Sequence, residues 1–156
     1  MIGSKMVLHY PVEGGNYSGA GEAASKIKKA LRQLGLDSEL IRRVSIAAYE
    51  GEMNIVIHAA HGELLLQVGE EEIIITARDK GPGIVDVGLA MQAGYSTAPD
   101  SAREMGFGAG MGLPNIEKCT DQLEIESVVN QGTKVVMTFV ITKDKHKDRR
   151  WARNRS

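Results

Sequence analysis

Three stretches of this 156-residue chain hold residues whose types and spacing could do chemistry. In the first, Asp79 closes the apolar run Ile73-Ile-Ile-Thr-Ala-Arg and is followed by Gly81, Pro82 and Gly83. A carboxylate is a poor partner for phosphate and a good acceptor for an exocyclic amine such as that of adenine. Flanking glycines let a ligand approach the backbone closely. The same residues would also make an ordinary tight turn. The second stretch is Gly106-x-Gly108-x-Gly110-x-Gly112, with Met111 and Leu113 interleaved at its end. Amides freed by glycine at a helix start form a cradle for anions, phosphate above all. No Gly-Lys-Ser/Thr follows, and Gly-x-Gly-x-x-Gly fails, so neither a Walker nor a Rossmann loop is present. Plain flexibility is the other reading of the run. The third stretch is Glu50, Asn54 and His58, a polar row recurring every fourth residue. It either faces a site or simply meets water and local partners.

These groups need elements to hold them. Asp37 or Ser38 can cap a helix that runs to about Ala60 and bears the polar row. Ile46, Met53 and Ile57 share the side of Glu50, while Val44, Ala48, Ile55 and Ala59 cover another, so this helix is expected to be largely buried. A carboxylate buried there without a partner would be costly. Residues 62–68 and 73–77 read as two strands of a hairpin, which places Asp79 at a strand end. Residues 5–10 read as a first strand ending at Pro11, and residues 22–34 as a helix with a basic outer face capped by Gly35. Residues 86–92 give a short helix at most. Residues 93–109 read as a long irregular segment, a lid or a disordered loop. A helix over 113–119 and strands over 121–129 and 133–142 complete the chain.

Composition narrows the classes. The chain is 42% hydrophobic and 25% charged, the balance of a globular protein. A single cysteine, Cys119, excludes an internal disulfide, and no apolar run approaches the roughly 20 residues of a membrane span. A cytoplasmic location follows as the expectation. The net charge of −1 is unevenly spread: residues 143–156 hold seven Lys or Arg against Asp144 and Asp148. The remainder is therefore acidic, at −6. An acidic body argues against direct nucleic-acid binding, and the basic tail reads as a solvated, disordered terminus. One domain over residues 1–142 is expected.

Taken in order, Glu50-x3-Asn54-x3-His58, Asp79-x-Gly81-x-Gly83, a lid, the glycine run and a late Gly132-Thr133 resemble the GHKL (histidine-kinase-like) ATPases. Within them the chain looks like the bacterial anti-sigma factor and serine/threonine switch-kinase branch. The resemblance spans about residues 5–142. It implies an α/β (α+β) two-layer sandwich of Bergerat type, a mixed, mostly antiparallel sheet with helices on one face, and ATP and Mg²⁺ as cofactors. The basic helix and the lid are expected near the open ligand side.

Residue by residue, the resemblance makes Glu50 the general base that activates the attacking hydroxyl and Asn54 the magnesium ligand. Asp79 accepts from adenine, with Thr133 assisting through a shared water, and Gly81 and Gly83 admit the base. Gly108, Gly110 and Gly112 wrap the phosphates, Met111 and Leu113 belong to the same nucleotide-binding stretch, and Arg103 in the lid reaches the γ-phosphate. A complete histidine kinase would need a phospho-acceptor hairpin before the long helix, and a topoisomerase-like member a transducer domain after the last strand. The reading is thus a free-standing kinase that phosphorylates a small STAS-type antagonist protein. The rival is an ATP-loaded anti-sigma factor that sequesters a sigma factor. A homodimer is compatible with either. Glu50 favours the kinase, since binding alone needs no base, and the long glycine run resembles the switch kinases more than the sigma-binding members.

Overall fold

A computed structural model describes residues 6–92 and 112–142. Within these residues nine elements follow in order: β1 (Met6–Glu13), α1 (Glu22–Gln33), α2 (Ser38–His58), β2 (His61–Val68), β3 (Glu72–Lys80), α3 (Val87–Ala90), α4 (Gly112–Cys119), β4 (Gln122–Val128) and β5 (Gly132–Val140). The strands form one sheet in the order β1-β2-β3-β5-β4. All four pairings are antiparallel, so the sheet is not mixed within these residues.

Strand alternation decides the two faces. Ile73, Ile75 and Ala77 of β3, Leu64, Leu66 and Val68 of β2, and Val135, Met137 and Phe139 of β5 are buried. Their period of two turns one row of apolar side chains toward the helices. Asp79 and Thr133 continue the same parity, which puts both on the helix-covered side at the strand ends. Ser38–His58 lies across this face. Asp37 caps it, its carboxylate accepting from the Glu39 and Leu40 amides at 3.0 and 3.2 Å. The helix stops at His58, two residues short of the expected end, because Ala59 turns to extended backbone and the Ala60 amide donates to the Lys80 carbonyl.

Gly51 is one of the residues of α2 that lie against the sheet. A Cβ there would lie 2.9 Å from Met137 Cε and 3.5 Å from Ala77 Cβ, so a larger residue would have to push the Met137 side chain aside. The neighbouring side chains then project about 100° to either side. Glu50 turns toward α4 and Glu52 toward α1, which makes α2 the centre of the helical layer. The basic helix α1 therefore lies across α2 from Glu50, rather than beside it on the ligand side. β1 also departs from expectation by running through Pro11 to Glu13. It is an edge strand, where a missing N–H costs least.

Candidate functional site

Two clusters gather most of the residues singled out by sequence. In the first, α4 runs antiparallel along α2 and meets it in three places. A Cβ on Gly112 would lie 3.1 Å from Asn54 Oδ1. One turn on, Asn115 Nδ2 donates to Glu50 Oε2 at 3.0 Å. At the far end Arg43 Nη1 donates to the Cys119 carbonyl at 3.1 Å and lies 3.7 Å from Asp121. Leu113 and Ile116 fill the space beneath, buried in the core. Glu50 and Asn54 are both half-buried, a carboxylate and an amide one turn apart beside α4.

Asn54 suits a magnesium ion. Mg²⁺ takes hard oxygen donors and keeps several waters beside substrate phosphates, and the Asn54 amide offers one such oxygen. A side chain at position 112 would crowd that oxygen, which glycine does not.

The second cluster lies at the ends of β3 and β5. The Thr133 amide donates to Asp79 Oδ1 at 3.2 Å, and Thr133 Oγ1 lies 3.0 Å from Ser127 Oγ. Ser127 Oγ in turn accepts from the Ile84 amide at 2.6 Å and lies 3.3 Å from the Gly132 carbonyl. Burial pushes the Asp79 carboxyl above its usual range, and the Thr133 amide works against that shift. Gly83 adopts φ +78, and a Cβ on it would stand 2.5 Å from the Val128 carbonyl oxygen. Glycine is required there on both counts. Gly81 packs against Ala59, the cap of α2, so the turn after Asp79 is seated on the end of the helix that carries Asn54.

Of the sequence-derived site residues, Glu50, Asn54, Gly112 and Leu113 thus meet in one cluster and Asp79, Gly81, Gly83 and Thr133 in the other. Arg103, Gly108, Gly110 and Met111 lie outside the described residues, as do the proposed lid and the basic tail. His58 follows Asn54 by one turn, and burial lowers its pKa below the usual imidazole value.

Sequence reasoning missed three residues. Ser127 is opposite Thr133 in the β4–β5 register, a relation visible only once the strands are paired. Asn115 falls three residues after Gly112, on the same helical face. Glu52 is 2% exposed, and its carboxylate accepts from the Gly21, Ala23 and Ala24 amides at 2.9, 3.3 and 2.9 Å. Its signal was a lone acid four residues after Ala48, within an otherwise apolar stripe.

An antiparallel sheet with one helical layer, an acid at a strand end and an acid–amide row on the central helix defines a two-layer α/β sandwich of the nucleotide-domain kind. Known proteins agree. A family model for the histidine kinase-like ATPase domain matches residues 18–139. The serine/threonine-protein kinase RsbT of Bacillus subtilis (strain 168) is 29% identical over 112 residues, covering 69% of this chain and 78% of that protein. The anti-sigma F factor of Clostridium novyi (strain NT) is 31% identical over 144 residues, covering 88% of this chain and 94% of the relative. Among solved structures, the SiaB–SiaC complex from Pseudomonas aeruginosa matches with a TM-score of 0.59 at 15% identity, over 87% of this chain and 89% of its counterpart. The RsbU and RsbW domains of Rv1364c from Mycobacterium tuberculosis give the same TM-score and identity over 88% of this chain, which spans 33% of that longer one. At this identity the two structures establish the fold alone. The chain belongs to the histidine kinase-like ATPases, in the branch that holds the anti-sigma factors and their serine/threonine kinases.

Proposed function

We propose that this protein is an ATP- and Mg²⁺-dependent serine/threonine kinase of the anti-sigma regulatory type, acting on a small STAS-type partner. The observation that carries the reading is the pairing of Glu50 and Asn54 on one face of α2, both half-buried and one turn apart. A nucleotide-binding module has use for the amide. The carboxylate beside it is needed only if a hydroxyl must lose a proton.

In this reading Asp79 accepts from the adenine amine, with Thr133 and Ser127 holding its surroundings, and the Gly81–Gly83 turn admits the base. Asn54 ligates Mg²⁺, which neutralises charge on the phosphates when bound. Glu50 orients the partner's hydroxyl and accepts its proton as the oxygen attacks the γ-phosphate. Phosphoryl transfer asks little covalent chemistry of the protein, so positioning and charge placement supply most of the rate. The chain would work in the cytoplasm.

The relatives support a second reading as well. The anti-sigma F factor of Clostridium novyi, matched over 88% of this chain against 69% for RsbT, favours a protein that sequesters a sigma factor with little or no kinase activity. Mutation separates the chemistry from binding. Glu50→Ala is expected to leave ATP affinity, measured by calorimetry, near wild type. Transfer of label from γ-labelled ATP to a STAS-type partner should fall by about 10²–10⁴-fold, the scale of a lost general base. Asn54→Ala should weaken Mg²⁺-dependent ATP binding itself. Wild-type transfer by Glu50→Ala would overturn Glu50 as the base, and absence of transfer by the wild-type protein would leave the sequestering reading.

A further inference from the structure

We propose that Asn115 is a positioning residue for Glu50, and that through it the direction of the Glu50 carboxylate follows the seat of α4. The inference rests on the reading of Glu50 as the base. A carboxylate only accepts hydrogen bonds, so it selects the nitrogen of the Asn115 amide, and the 3.0 Å contact fixes which way Oε2 turns. A glutamate side chain is long, and half-buried it has few packing neighbours to hold its last torsion. One charge-assisted hydrogen bond is the means available to set it.

The bland alternative is that Asn115 merely fastens two helices together. The remaining contacts argue otherwise. Leu113 and Ile116 already bury α4 in the core, at 8% and 0% exposure. Arg43 ties the C-terminal end of α4 to α2 through the Cys119 carbonyl and Asp121. The helix is therefore held beneath and at its far end without Asn115. At its near end Gly112 rests on the amide oxygen of Asn54. Asn115 is one turn from that point, on the same face of α4, just as Glu50 is one turn from Asn54 on α2. A shift of the first turn of α4 against Asn54 is carried to Glu50 by this single hydrogen bond. Base and cation ligand are thereby registered to one helix end.

Steady-state turnover of Mg–ATP, read as phosphate release with water as the acceptor, tests the proposal on the whole chain. Asn115→Leu keeps the volume and removes the donor. It is expected to lower kcat about 10- to 100-fold, the range for a hydrogen bond to a charged group, with KM for ATP within about twofold. In a Glu50→Gln background the same substitution should change kcat less than about twofold, because there is no carboxylate left to orient. Asn115→Asp sets a second acid against the first and should lower kcat at least as far, which keeps the test open if the leucine variant folds poorly. Wild-type kcat in Asn115→Leu and Asn115→Asp, or an equal loss with and without Glu50, overturns the proposal while leaving Glu50 as base. Wild-type kcat in Glu50→Gln alone overturns the base reading and this proposal with it.

Discussion

Glu50 and Glu52 are the same residue type two positions apart on one helix, and they have opposite situations. Gly51 between them lies against the sheet, which sends one carboxylate to each flank of α2. Glu52 is shut in the core and accepts three backbone amides of the loop and first turn of α1. Glu50 is half-open, its partner among the described residues a side-chain amide. A buried acid whose lone pairs are filled by fixed backbone donors is committed to structure. An acid held by one adjustable side chain, with solvent access, is available for chemistry. Burial and partner type separate these two roles where residue identity cannot.

The comparison can be broken most directly by deletion. Glu52→Ala would strip the acceptor from three amides, two of them on buried alanines. At about 1–3 kcal/mol for each buried donor left unsatisfied, the loss should be about 3 kcal/mol or more. Glu50→Ala should cost less than about 1 kcal/mol. Urea unfolding midpoints measure both, and equal losses would end the distinction. A smaller effect sharpens the same contrast at the other end of the Glu52 bonds. Gly21 caps α1 with φ +97, so Gly21→Ala should cost about 1 kcal/mol of stability, again read from the urea midpoint, without altering ATP affinity.

The smallest expected effect concerns His58, on the face of Glu50. Burial lowers its pKa below the ordinary 6.5, so the folded state binds fewer protons than the unfolded state in the window between. Stability should therefore rise with pH up to about 6.5 and fall as pH drops below it through that window. His58→Gln should flatten this part of the stability curve. An unchanged slope would show that the imidazole is not desolvated as described.

How much of this was legible beforehand depended on the range of the contact. The polar row Glu50, Asn54 and His58, the cap at Asp37 and the strand-end place of Asp79 follow from helical and strand periods, and the structure keeps them. Pro11 misled because a proline reads as a strand end until the strand is known to be an edge. The Ser127–Thr133 contact waits on the β4–β5 register, which periodicity alone leaves open. Glu52 was hidden for a different reason. Its partners are backbone amides 28 to 31 residues away, and backbone donors leave no mark in side-chain spacing.

That distance has a consequence for how the chain comes together. Helix α1 has twelve residues and a cap without a side-chain hydrogen bond of its own. A helix of that length is marginal alone in water. Its missing acceptor is supplied from α2, and the strand before it, β1, pairs with β2, whose residues are later still. Whether on a ribosome or in refolding, β1 and α1 reach these partners only once the chain through β2 is available. The order of β1 and α1 is thus supplied by segments that follow them in the sequence.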